Sequence, residues 1–274
     1  MLPTQLLAGF FLGTFISFAA LKSNALTWDG ALAATLLGTL VFGLGGLPWA
    51  TLLLVFFITS SGLTRLLARR KVGLVEKFSK GSRRDWEQVM ANGGLGTVLV
   101  LIQTGIPNEV WPWWAYAGAF AAVNADTWAT ELGILSTIPP RMITTGKITE
   151  KGNSGGITLV GTLAALIGAA LIGVSAGIFP VQAGTNTVFQ TSILIGAITI
   201  SGLAGAFIDS LLGATFQSIY HCPCCEKETE HHPYHVCGTP TQHLRGLSWL
   251  NNDGVNFVAS LIGAAIAALI GLSY

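Results

Sequence analysis

Asn124-Ala-Asp-Thr-Trp-Ala-Thr-Glu-Leu-Gly133 places two carboxylates, Asp126 and Glu131, beside Asn124, Thr127 and Thr130. The stretch closes an apolar run from Trp113 to Val123. An ionisable group within such a run costs about 3 kcal/mol even on lenient insertion scales. Chains avoid that cost unless the group pairs or functions, so this stretch asks both what surrounds it and what it does.

The surroundings are apolar almost throughout. Of 274 residues, 51% are hydrophobic and 10% charged, where a soluble domain carries about 25% charged residues. Mean hydropathy is +0.62. These values exclude an ordinary water-soluble domain. A span needs about 20 residues, and apolar runs of that kind occur at 4–21, 30–47, 50–67, 91–106, 111–132, 156–178, 191–218 and 254–273. Backbone groups in lipid must be paired within their own segment, so the runs are helices. The expected fold is all-α: one polytopic transmembrane bundle over 1–274, about eight spans, with a small cytoplasmic Cys/His loop at 221–250. Met1-Leu-Pro-Thr-Gln lacks a basic region, and the apolar run after it is long for a signal peptide, so the first run reads as a retained span.

Charge sets the orientation. Eight spans put all fourteen Lys and Arg on one side, mostly between Arg65 and Arg84 (with Arg69, Arg70 and Lys71 among them). That side is expected in the cytoplasm, with both termini outside and the protein in the cell (plasma) membrane. The eight Trp residues fall near the ends of the runs, as interfacial anchors do.

Five polar clusters come to that face. Asp85, Gln88 and Asn92 share one helical face before the fourth span; Asp85 also suits an ordinary helix start. The second cluster is the opening stretch, where a structural ion pair is the plainer account. Arg141, Lys147, Lys151 and Gly152-Asn153-Ser154-Gly155-Gly156 precede the sixth span. A glycine-rich turn opening a helix can hold a phosphate, or can simply be a flexible turn. Asp209 lies deep in the seventh run, with Gln217 two turns on. Asp253 and Asn256 open the eighth, where capping would account for Asp253 but not for Asn256. Carboxylates beside basic groups and a glycine-rich helix start suit phosphate chemistry with Mg²⁺. In the loop, Cys222, Cys225, His235 and Cys237 match tetrahedral Zn²⁺, with redox chemistry or inert thiols as the other readings.

The ordered set of motifs at 84–93, 124–133, 140–145, 152–156, 209–217, 222–237 and 252–256 resembles the DUF92 integral membrane family. That family includes the transmembrane protein 19 group and phytyl-phosphate kinases. Lys151-Gly-Asn-Ser-Gly-Gly156 stands where the family more often has Pro-Gly-Thr-x-Gly-Gly. The resemblance implies a CTP-dependent kinase that converts phytyl phosphate, or a related prenyl monophosphate, to the diphosphate. Asp126, Glu131, Asp209 and Asp253 would then hold Mg²⁺. Lys147, Lys151, Asn153, Ser154, Gly155 and Gly156 would meet phosphates, Arg84 or Arg141 would neutralise charge, and Asn92, Asn124 and Asn256 would orient these groups, with Asp85 beside them. The implied partners are CTP, the prenyl or phytyl phosphate and membrane lipid, with no nucleic acid. The competing reading is a transporter whose intramembrane carboxylates couple to protons or ions.

Overall fold

The computed structural model describes residues 2–68, 70 and 76–273; Arg69 and Lys71 lie outside them. The helices are α1 (Leu2–Lys22), α2 (Trp28–Leu40), α3 (Gly46–Leu67), α4 (Trp86–Gly105), α5 (Trp111–Gly133), α6 (Leu159–Gly177), the short α7 (Pro180–Ala183), α8 (Val188–Thr215) and α9 (Asn252–Gly271). A π-helical turn, Val41–Gly45, joins α2 to α3. Gly46, at φ +71°, lets the chain reverse there at no Cβ cost.

Among the described residues, five helical stretches are long and apolar enough to cross a membrane: Thr4–Lys22, Trp28–Leu67, Leu159–Gly177, Val188–Thr215 and Asn252–Gly271. The second contains the reversal at Gly46 and so folds as two antiparallel segments. Helices α4 and α5 fall outside that set. Glu87, Gln88, Asn92 and Gln103 dilute the first, and Asn124, Asp126 and Glu131 the second.

Helix directions alternate. Leu26 pairs with Arg84 and Leu37 lies against Gly93, so α2 and α4 run together. Trp49, Thr59 and Thr64 bond Tyr116, Asn124 and Glu131, so α3 runs with α5. Gly161 and Gly168 face Gly133 and Trp128, which sets α6 against α5. As a result α1, α3, α5 and α8 end where α2, α4, α6 and α9 begin. All described Lys and Arg residues sit at or beyond this one end.

Helix α5 is the axis. It packs against α3, α4, α6, α8 and α9, and Pro112 through Ala125 are all buried. Its small residues permit that crowding: a Cβ on Gly118 would strike Gly263 and Ala267 of α9, and one on Gly205 would strike Ala122. The centrality of α5 overturns part of the expectation for Trp. Trp49, Trp113 and Trp114 are core residues rather than interfacial anchors. Trp49 and Trp113 meet edge to face at 5.2 Å, and the Trp114 indole donates to Ala183 O. Trp28, Trp86 and Trp249 are exposed.

The polar end is not purely helical. The glycine-rich turn closes a two-stranded ribbon, β1 (Arg141–Met142) with β2 (Gly156–Ile157). The Cys/His loop forms a three-stranded antiparallel sheet in the order β4-β3-β5, built from β3 (Ile219–Cys222), β4 (Lys227–Thr229) and β5 (Gln242–Arg245).

Gly118→Val forces α5 away from α9 and is expected to cost about 1–3 kcal/mol. Gly62→Ala meets open space and should stay within about 0.5 kcal/mol of wild type. Thermal midpoints in detergent compare the two; equal midpoints would contradict the close crossing.

Candidate functional site

The helix ends and the two β elements enclose a cavity of about 530 Å³. Arg84, Asn92, Asp126, Glu131, Lys151, Asn153 to Gly156, Asp209, Asp253 and Asn256 all line it. Residues from Arg84 to Asn256, far apart in the sequence, thus meet at one place.

The deepest feature is a carboxyl pair. Asp126 on α5 and Asp209 on α8 face one another across the cavity, and Asp209 Oδ2 is buried without a hydrogen-bond partner. Two neighbouring carboxylates in an apolar setting either share a proton, so that one is neutral, or both ionise against a bound cation. An orphaned, buried oxygen beside a second carboxylate suits a hard divalent cation, which takes oxygen ligands.

The four acidic residues assigned to one Mg²⁺ do not converge on one point. Glu131 accepts from Thr64 Oγ1 at 2.7 Å and faces Arg84. Asp253 belongs to a second group with Asp85 and Glu87, whose ligand oxygens lie within 4.8 Å of one another. The Lys80 ammonium fills the centre of that group and bonds all three. Burial would lower the Lys80 pKa, but hydrogen bonds to Asp253, Glu87 and Asp85 outweigh it and hold the pKa above the usual lysine value.

Helix capping bears on two of the expected site residues. Asp85 is the N-cap of α4, in a reciprocal capping box with Gln88. It does not line the cavity. Asn251, rather than Asp253, caps α9 through Gly254 N at 3.0 Å, which leaves Asp253 to face Lys80. Asn124 is a buried strut: it accepts from Thr59 Oγ1 and donates to Gly168 O at 2.8 Å, tying α5 to α3 and α6. Arg141 and Lys147 are exposed outside the cavity, and Arg141 Nη1 donates to Gly146 O instead. The β1–β2 ribbon turns both outward.

The basic groups that do reach the cavity are Arg84, Lys80 and Lys151. Arg84 is half-buried against Phe56 and Phe57, 5.1 and 5.8 Å from the ring centres, and donates to Ser60 Oγ at 2.8 Å. Burial brings its pKa down to about 10, and Glu131 opposes that shift. Lys151 Nζ donates to Ile134 O and Ser136 O, the carbonyls just past α5. Gly155, at φ +87°, lies so close to Ala214 of α8 that a Cβ would clash. Asn153 and Ser154 are held from outside the loop, by Lys77 and Glu230.

Glu230 and Lys80 are site residues that the sequence patterns missed. Glu230 follows β4 yet lines the cavity, accepting from Gln217 Nε2 at 2.8 Å, Ser154 Oγ and Ser79 N. Burial raises its pKa, against those bonds. A Glu inside a Cys/His loop carries no periodic or motif signal. Segment 76–80 fixes the hairpin over the site: Glu230 N donates to Lys77 O, and Thr229 Oγ1 to Glu76 O.

Within the hairpin, Cys222, Cys225, His235 and Cys237 place four ligand atoms within 4.8 Å of one another. Cys222 and Cys237 sulfurs are 3.6 Å apart, and His235 Nδ1 is 3.2 Å from Cys237 and 3.7 Å from Cys225. Tetrahedral Zn–S bonds of about 2.3 Å put sulfurs about 3.8 Å apart, so the group could hold a metal ion. A disulfide needs about 2.05 Å, and all four cysteines are free. The Thr239 hydroxyl, with His235, lowers the Cys237 thiol to about 5, while hydrogen bonding from Cys237 pushes Cys225 up to about 12.

A helical membrane protein with an acidic, cation-compatible cavity at one end of the bundle is the class these features define. The chain belongs to the DUF92 integral membrane protein family, whose model matches residues 11–264. It is similar to Protein PGR of Arabidopsis thaliana, with 33% identity over 97% of this chain and 96% of that protein. It is also similar to the membrane protein MJ0933 of Methanocaldococcus jannaschii, with 31% identity over 91% of this chain and 87% of that one. Protein VTE6, chloroplastic, of Arabidopsis thaliana is 26% identical over 93% of this chain and 68% of its own length. No solved structure matches the chain.

Lys80→Met leaves Asp85, Glu87 and Asp253 facing one another. With solvent screening discounted, the loss should be about 1–2 kcal/mol. The Lys80 pKa is raised, so its contribution is present below the ordinary lysine value of about 10.4 and lost only as pH rises through the higher folded value. The midpoint gap to wild type should therefore hold steady from about pH 7 to about pH 9. A gap that vanishes within that window contradicts the cluster.

Proposed function

We propose that this protein is a phosphotransferase that converts a prenyl monophosphate, of the phytyl class, to the diphosphate with CTP as donor. The observation that carries the reading is the Asp126–Asp209 pair inside a cavity shared with Arg84, Lys80, Lys151 and the glycine-rich turn. The ordered motifs shared with the phytyl-phosphate kinases of the family support the same reading. All eight long helices cross the membrane in this proposal, with α4 and α5 sheltering their polar residues within the bundle. The polar end faces the cytoplasm of a plasma-membrane protein.

A phosphate monoester is already ionised, so the acceptor needs no strong base. Its oxygen attacks the terminal phosphorus of the donor, the bond from that phosphorus to the bridging oxygen breaks, and nucleoside diphosphate leaves. The obstacle is bringing two anions together. Mg²⁺ held by Asp126 and Asp209, with Asp253 and Glu131 at the margin, supplies charge neutralisation when bound. Arg84 orients the acceptor phosphate. Lys80 and Lys151 face the donor, with Gly155 and Gly156 of the turn beside them. Asn92 and Asn256 offer neutral hydrogen bonds from opposite walls. Glu230 positions Ser154, and through it the turn. Zn²⁺ in the Cys/His group would clamp the hairpin that carries Glu230.

Labelled phosphate from γ-labelled CTP should pass to phytyl phosphate, and not to phytol, in protein reconstituted with Mg²⁺. Asp126→Asn and Asp209→Asn should each reduce transfer at least about 100-fold, an effect of about 2.7 kcal/mol, while the protein stays folded. A folded, fully active variant would remove that residue from the site, and transfer to no prenyl phosphate would favour the transport reading.

Purified protein should carry one Zn²⁺ per chain, lost in Cys222→Ser. Ligand thiols must be deprotonated, so acidification or a chelator should release the ion and lower transfer. Full transfer by the metal-free protein would separate the hairpin from the site.

A further inference from the structure

The polar cavity has a neighbour. A second cavity of about 180 Å³ lies among α1, α2, α3 and α4. Leu12, Ile16, Leu37, Phe42, Leu53 and Phe57 form much of its wall. Ser17 apart, its polar side chains are confined to Arg84, Gln88 and Asn92. Those three also line the carboxylate cavity. The two spaces therefore share one wall, and that wall carries the half-buried Arg84 guanidinium.

Direction gives the pocket its meaning. Arg84 stands at the polar end, just before α4. From there the apolar wall runs back along α3 from Phe57 to Ala50, seven residues or about 10 Å toward the bundle interior. Leu12 to Ala20 of α1 line a similar length. Hydrocarbon belongs at one end and an anion at the other. The volume is below the ~300 Å³ at which pockets for drug-sized ligands begin, so it admits one chain rather than the two of a phospholipid. Arg84 is prepared for this: Ser60 and Ser61 hydroxyls and the rings of Phe56 and Phe57 fix it before any ligand arrives.

We infer that this pocket holds the head-proximal part of a single-chain isoprenoid monophosphate, with Arg84 gripping the phosphate where the two cavities meet. The inference rests on the phosphotransferase reading for its choice of ligand, and it names where that ligand lies. The phosphate would then face Asp126 and Asp209 from the α4 side, while a nucleotide enters from the opposite side, over the glycine-rich turn.

A farnesyl monophosphate bearing a diazirine close to its phosphate end tests this without catalysis. Irradiated with the reconstituted full-length protein, it should label α1, α3 and α4 peptides that contain the pocket residues. Excess unlabelled farnesyl monophosphate should compete, and farnesol should not. Ala34→Leu, which fills the pocket, and Arg84→Gln, which removes the grip, should each cut labelling at least tenfold. Labelling spread over the outer helix faces, equal competition by farnesol, or undiminished labelling in both variants would overturn the inference. Specific labelling by a protein that transfers no phosphate would leave the pocket standing and defeat the phosphotransferase reading.

Discussion

Two carboxyl groups on different helices meet among residues that are otherwise apolar, and the rest of the polar end is arranged around that contact. Asp126 and Asp209 can be neighbours only because α5 and α8 approach closely. Gly202 and Gly205 lie against Ala121 and Ala122, one to two turns before the two acids. The same closeness makes their coexistence costly. Negative charge on both requires a compensating cation, and a proton shared between them is the alternative. Placing the pair near helix ends rather than at mid-bundle keeps it within reach of Arg84, Lys80 and Lys151.

The outer wall is made by connections, not helices. Segment 76–84 carries Lys80 to three carboxylates and Arg84 to the α3–α4 seam, and it also supports the Cys/His hairpin. The hairpin returns Glu230 to the cavity. A metal-compatible group on the outside and a cavity-lining carboxylate on the inside thus belong to one small hairpin. Anything that loosens the four ligands should be felt at Ser154 and the glycine-rich turn.

Much of this arrangement was legible in the residues. Apart from the second run, which continues past the end of α2 through the π-helical turn, the apolar runs match the long helices within a few positions, because a run long enough to hide its backbone has little alternative. Intramembrane Asp126 and Asp209 stood out because their cost is large, and the Cys and His spacing because four soft ligands in so short a stretch are rare. The failures share a cause. Lys80 sits in a basic stretch and Glu230 in a metal-ligand loop, where one more charge means nothing until the chain folds. Arg141 and Lys147 looked equivalent to Lys151, but the pairing of β1 with β2 turns them outward. Trp49, Trp113 and Trp114 resembled interfacial anchors because only tertiary structure reveals α5 as the surrounded helix. Asp85 reads in the sequence as both cap and site residue, and in the structure it caps α4 while its carboxylate also meets Lys80.

Everything in this view depends on a divalent cation bound between α5 and α8. Titration of Mn²⁺ into the purified, reconstituted protein, followed by electron paramagnetic resonance, measures that directly. One tight, Mg²⁺-competable ion per chain, lost in both Asp126→Asn and Asp209→Asn but retained in Glu87→Gln, is the expected result. Binding that survives both substitutions, or that never competes with Mg²⁺, would mean that the two carboxyls share a proton and that the cavity does something else.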